Sequence, residues 1–214
     1  LADNEVVVVS FLDEKGVPFA GIVNWAVHSA VCGPDCTELT SELAGLTGKK
    51  LAETLGYFPA MIVGAAGDCS DREFRHGRGI PEVERVSTAL AAEIARIDVD
   101  TPVELGGIEI QTLYHTVAHD DFHLDLRCAV ISLGGLHLFV FPSELGSDFG
   151  IRMKRECPVQ GLVFGYTNGY FEYFLPAWEY GLSFETEHTQ IPQGEPERIC
   201  DKFCQASRLL GSNS

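Results

Sequence analysis

Three apolar runs in this sequence stop at side chains that can do chemistry. Val23 to Val27 gives way to His28 and the small-residue loop Ser29-Ala30-Val31-Cys32-Gly33-Pro34-Asp35. Met61-Ile62-Val63 runs into Gly64-Ala65-Ala66-Gly67-Asp68, with Ser70 just beyond, and His137 to Phe141 ends at Pro142-Ser143-Glu144. A further polar turn, Asn168-Gly169-Tyr170-Phe171-Glu172-Tyr173, follows the run Leu162 to Phe164. In open α/β sheets, ligands and reacting groups gather beyond strand ends, where loops converge. Each group also has a plain structural reading. A histidine beside a strand more often packs than ligates, and Ser143-Glu144 ahead of Leu145 suits a helix cap with a favourable first-turn charge. Tyr170 and Tyr173 can pack beside Phe171 and Phe174. Asp68 can orient Ser70, accept hydrogen bonds from the loop backbone, or open the next turn.

Other clusters are less specific. His115, His119 and His123 recur every four residues, which on a helix would share one face. The neighbouring runs Ile108 to Thr112 and Leu124 to Cys128 alternate as strands do, so a strand or loop is expected instead. Cys32 and Cys36, with Cys200 and Cys204, would make a four-thiolate zinc site, but pairs separated by three residues are weaker signals than pairs separated by two. On a helix, Cys200 and Cys204 would lie one turn apart and simply pack. Seven cysteines at irregular spacings are not the disulfide framework of a small secreted domain, and they leave the redox compartment open. The Gly64 to Asp68 loop lacks the glycine pattern that cradles phosphates, which argues against a nucleotide-binding or flavodoxin-like protein.

These groups need elements to position them, and apolar runs alternate with amphipathic segments as they do when helices cover a sheet. Val6 to Leu12 and Ile22 to Val27 flank Asp13-Glu14-Lys15-Gly16, a hairpin signature. Thr40 or Ser41 can cap a helix carrying Leu43, Leu46, Leu51 and Leu55 that stops at Gly56. After Pro81, Val83, Val86, Leu90, Ile94 and Ile97 keep helical spacing. Ile108 to Tyr114, Leu126 to Leu133 and His137 to Phe141 read as strands, followed by a helix over 145–156, a strand over 162–164 and a final helix near Pro196. The fold class expected is therefore α/β, a mixed β-sheet covered by helices. Acidic residues number 31 against 15 basic ones, a formal charge of -16, so a nucleic-acid duplex would be repelled. No apolar run approaches the roughly 18 residues that cross a bilayer.

Asn24-Trp25-Ala26-Val27-His28, Gly67-Asp68-Cys69-Ser70, Phe141-Pro142-Ser143-Glu144 and Asn168-Gly169-Tyr170-Phe171-Glu172-Tyr173 resemble four successive signatures of the neutral, non-lysosomal ceramidase family. They stand in the family's order, and Trp178-Glu179-Tyr180 resembles a further segment. The resemblance implies a zinc-dependent hydrolase cleaving the amide between a fatty acid and a sphingoid base, or an amide or ester of another lipid-like or small substrate. By matching positions, His28, Glu144 and Tyr173 are the implied metal ligands and Ser70 the implied active-site serine, either nucleophile or oxyanion donor. Zinc accepts such N and O donors and, when catalytic, keeps a position open.

The chain departs from the family pattern at Asp71-Arg72, where Pro-Asn is expected, and at Phe184, where tyrosine is typical. The family's other zinc histidine lies in a segment upstream of anything matched here, so a separate N-terminal chain or segment is the partner expected to complete the metal site. With Leu1 in place of Met, residues 1–210 are expected to be the C-terminal part of a larger single hydrolase domain, and 211–214 a flexible tail. The competing expectation is a non-catalytic binding protein on a degenerate scaffold of this kind.

Overall fold

The structure, a computed structural model, describes residues 2–99, 101–118 and 123–212. The chain forms two compact units, one made of Glu5–Ile62 and Ser70–Pro102, the other of Val63–Cys69, the residues from Val103 onward and a few at the amino end.

The first unit opens with a hairpin, β1 (Val7–Leu12) against β2 (Pro18–Trp25), antiparallel with Val7 opposite Asn24. Asp13 builds its turn, because Asp13 Oδ1 accepts the N–H groups of Lys15 and Val17, each at 2.8 Å. The sheet continues with β3 (Ala60–Val63) in the order β1-β2-β3. Between β2 and β3 lies α1 (Glu42–Leu55), which stops at Gly56; with φ 79° this residue takes the left-handed conformation that glycine adopts without penalty. Helix α2 (Ile80–Ile94) starts with proline in its first turn and packs with α1 through Val31, Cys32, Leu43 and Val83. Ile97 keeps the helical spacing in sequence but lies beyond the last turn.

The second unit is a mixed sheet of β4 (Glu109–Ala118), β5 (His123–Ser132), β6 (Leu136–Val140) and β8 (Gln160–Phe164), ordered β4-β5-β6-β8. The first two pairings are antiparallel and β6 with β8 is parallel, the crossover being α3 (Ser147–Glu156). Two residues of β7 (Glu144–Leu145) pair in parallel with β9 (Tyr173–Phe174). The short helix α4 (Phe184–His188) begins with a capping box at Ser183, and α5 (Glu195–Gly211) closes the chain. The core is aromatic: Phe141 meets Phe174 edge-on at 4.9 Å, and Phe139 meets Phe203 at 6.0 Å.

The α/β class and the mixed sheet agree with the expectation from sequence. One boundary differs: the helix expected from Leu145 begins only at Ser147, because Glu144 and Leu145 are taken into pairing with β9. Helix α5 carries Gly211 where a tail was expected, while Asn213 and Ser214 lie outside the described residues. His115 and His123 fall on neighbouring strands of the β4–β5 hairpin, and His119 lies outside the described residues.

His137 sits within this core with no exposed surface, its Nδ1 2.8 Å from Ser207 Oγ. Burial holds its imidazole below the ordinary value of 6.5. The unfolded chain therefore takes up a proton first as pH falls, so stability is full above about pH 6.5 and declines below it, toward the lowered folded value. Denaturant unfolding between pH 7 and pH 5 will show a slope, at most about 1.4 kcal/mol per pH unit for one proton, that His137→Gln lacks.

Candidate functional site

Within the first unit, His28 lies three residues past the end of β2 and half buried. Its loop is fastened at several points. Ser29 Oγ accepts from Ala44 N–H at 3.2 Å, and Cys32 N–H donates to Glu42 Oε1 at 2.6 Å. Glu42 opens α1 with φ 50°, a left-handed conformation unusual for a residue with a side chain, and it holds this while also accepting from Leu43 N–H. The Ala30 carbonyl accepts from Arg75 at 3.3 Å and Arg78 at 3.4 Å. Arg75 also faces the buried carboxylate of Asp71 at 3.6 Å. The loop after His28 and the loop that starts at Ser70 are thus tied through one guanidinium. Ser70 Oγ accepts from Arg72 N–H at 3.3 Å, a local turn that the Asp71-Arg72 sequence supplies.

The second unit holds Glu144 and Tyr173 as direct register partners. Glu144 is 6% exposed, and both of its carboxylate oxygens accept phenolic protons: Oε1 from Tyr170 at 2.5 Å and Oε2 from Tyr166 at 3.3 Å. The two phenol rings stack, with centroids 6.5 Å apart. Loss of hydration together with the Glu144 charge pushes the hydroxyls of Tyr166, Tyr170 and Tyr173 above the ordinary tyrosine value, so they stay protonated donors at neutral pH.

The backbone around this carboxylate is tightly specified. Glu144 N–H donates to Glu172 O at 3.0 Å, and the same carbonyl accepts from Ser143 Oγ, which in turn accepts from Phe171 N–H at 3.1 Å. Gly67 N–H donates to Leu145 O at 2.8 Å on the other side. Tyr166, Asn168 and Glu172 take φ of 56°, 70° and 62°, so the segment that carries the phenols is strained at three places. Asp68 accepts from both Ser147 N–H, at 2.8 Å, and Ser147 Oγ, at 2.7 Å. These bonds come from a helix 79 residues on and not from Asp68's own loop, and they cap the start of α3. Glu144 itself lies ahead of that helix, so its carboxylate does not serve as the first-turn charge, a place that Asp148 takes.

His28 and Ser70 therefore belong to one unit, Glu144 and Tyr173 to the other. Sequence reasoning placed Tyr170 among the packing residues and passed over Tyr166, yet these are the phenols hydrogen-bonded to Glu144. The signal available was the Tyr-Thr-Asn-Gly-Tyr run at a strand end, where Asn-Gly announces positive φ. Cys32 and Cys36 lie in the first unit, Cys200 and Cys204 in the second. No group of three or more His, Cys, Asp or Glu side chains placed to hold a metal occurs among the described residues. A carboxylate with phenols on both oxygens fits a divalent cation in chemical type, since hard oxygen donors are present and a cation can take the place of a phenolic proton. His115 donates from Nε2 to Glu195 Oε2 at 2.8 Å and accepts from Lys202 Nζ at 2.9 Å, a tautomer set by the ammonium, which always donates. Phe184 opens α4 with its ring stacked on His188 at 3.9 Å.

The fold and this carboxylate–phenol cluster define a mixed α/β protein with a polar site built where strands end. No protein-family model matches the chain, and no curated protein matches it. Among solved structures, it is similar to the neutral ceramidase from Pseudomonas aeruginosa, with TM-score 0.82 at 15% identity, covering 99% of this chain and 47% of that one. It is also similar to a ceramidase complexed with C2, with TM-score 0.83 at 14% identity, covering 99% of this chain and 48% of the other. The chain thus has the fold of part of a neutral ceramidase and spans about half the length of the structures it matches.

The clamp on Glu144 has a measurable cost of disruption. A Cβ at Gly67 would come within 2.9 Å of Glu144 O and 3.1 Å of Leu145 C, both backbone atoms. Gly67→Ala is expected to lower unfolding free energy by about 1–3 kcal/mol. Gly77→Ala, with nothing within 4 Å of the added atom, should stay within about 0.5 kcal/mol of the parent in the same denaturant titration.

Proposed function

We propose that the chain is part of a zinc-dependent hydrolase resembling neutral ceramidase, cleaving the amide, or an ester, of a lipid-like or other small substrate. The observation that supports this reading is Glu144, a buried carboxylate with a phenol on each oxygen, in a fold shared with neutral ceramidases. In this reading His28 supplies the imidazole, Glu144 the carboxylate and a tyrosine the phenol that hold the metal. Tyr173 is the phenol implied by the family resemblance, while Tyr170 has the shorter claim in space through its contact of 2.5 Å with Glu144. A histidine from a separate chain or segment completes the set. Bound zinc supplies a water with pKa near 7 and polarises a carbonyl. Ser70 presents its hydroxyl to the scissile carbonyl, attacking it or donating to the oxygen that becomes negative. Glu144, with a phenol on each carboxylate oxygen, is held in place while bonds change.

Elemental analysis of the protein as isolated, with hydrolysis of a fatty-acyl sphingoid amide followed in parallel, tests the proposal. His28→Ala and Glu144→Gln are expected to lose bound zinc and activity together. Ser70→Ala is expected to keep zinc and lose about 100-fold or more in turnover, the scale of losing an oxyanion donor. Comparing Tyr170→Phe with Tyr173→Phe identifies the phenol, since the ligand variant loses metal. A protein free of zinc that binds the amide without cleaving it would instead be the binding protein on a degenerate scaffold.

A further inference from the structure

Cys32 and Cys36 meet across a single turn. Cys36 N–H donates to Gly33 O at 3.3 Å, and Gly33 holds φ at 80°, so the chain folds back over Pro34 and Asp35. The Cys36 thiol points toward Glu38 O at 4.0 Å. Both side chains pack in one apolar cluster with Val31, Leu43 and Val83. The peptide groups of Cys32 are pinned on both sides, N–H to Glu42 Oε1 at 2.6 Å and C=O to Gly79 N–H at 3.2 Å. The Cys32 backbone is therefore held in place, and the turn brings Cys36 round against the same apolar cluster.

Cys200 and Cys204 are also separated by three residues, but both lie buried along α5. Residues four apart on a helix hold their Cβ atoms about 5–6 Å apart, wider than the roughly 3.5–4.5 Å that a disulfide spans. The turn between Cys32 and Cys36 imposes no such separation.

We propose that Cys32 and Cys36 form a reversible disulfide by exchange with a low-molecular-weight disulfide such as oxidised glutathione. Cys36 is half buried and Cys32 buried, so the reagent meets Cys36 first. The Cys36 thiolate attacks one reagent sulfur and expels the other as a thiolate, leaving a mixed disulfide on Cys36. Cys32 then gives up its proton and attacks the Cys36 sulfur, expelling the second reagent thiolate. Two protein thiols lose two electrons, one reagent disulfide becomes two thiols, and both protons end on the reagent. Burial, with Cys36 close by, pushes the Cys32 thiol up to about 11, consistent with its acting second. The reaction is independent of any hydrolase activity.

The test uses the folded, unmodified protein treated with oxidised glutathione, acid-quenched, alkylated under denaturing conditions and cut with trypsin. The tryptic segment Gly16–Lys49 contains Cys32 and Cys36 and no other cysteine. The expected product is that peptide two hydrogens lighter, without alkyl groups, while Cys200 and Cys204 are fully alkylated; prior reduction restores both alkylations in Gly16–Lys49. In Cys36→Ser, Cys32 should be alkylated whether or not oxidant was present. A doubly alkylated Gly16–Lys49 peptide after oxidation, or glutathione persisting on Cys36 without ring closure, would overturn the proposal.

Discussion

A carboxylate removed from water must be given proton donors or a cation, or its burial costs several kcal/mol. Glu144 meets that requirement with two phenols, and much of the second unit is arranged around doing so. β6 ends at Val140, and the next residue, Phe141, is locked edge-on against Phe174, which fixes where Pro142-Ser143-Glu144 emerges. The carbonyl of Glu172 takes both the Glu144 N–H and the Ser143 hydroxyl, so the strand pair β7–β9 exists to the length of two residues and no more. The helix that follows starts late, and Asp68 reaches in to cap it. Local strain at Tyr166, Asn168 and Glu172 is offset by these cross-links and by the apolar packing beneath them.

The first unit solves a different problem. A loop rich in small residues has little apolar surface with which to fix itself, and the His28 loop adds charge-assisted contacts to its backbone to the packing of Val31 and Cys32. Arg75 and Arg78 converge on one carbonyl, and Glu42 accepts from Cys32 and Leu43. Bonds with a charged partner are about twice as strong as neutral ones. They give the loop one conformation at a modest expense in buried area.

Much of this was legible in the sequence. Helices α1 and α2 announced themselves through leucine and valine spacing with Gly56 and Pro81 as punctuation, and the β1–β2 hairpin through Asp13 to Gly16, because those signals are local. β7 and β9 were not legible: two residues carry no periodicity, and their pairing joins positions 29 apart through a shared carbonyl. The Glu144 environment was half legible. The carboxylate stood out at a strand end, but nothing in the spacing distinguishes a phenol that packs from one whose hydroxyl returns to that carboxylate. Asp68 was ambiguous for the same reason, since its partner Ser147 lies 79 residues away.

The three left-handed residues between Tyr166 and Glu172 narrow the substitutions this chain can accept. Glycine would ease the backbone at each of those positions and asparagine at Tyr166 and Glu172, whereas a β-branched replacement would force the main chain over and drag the aromatic pair with it. Variation in that stretch is therefore filtered by backbone handedness before side-chain chemistry has any say, whereas at Phe171, which packs against the apolar core, the filter is side-chain fit.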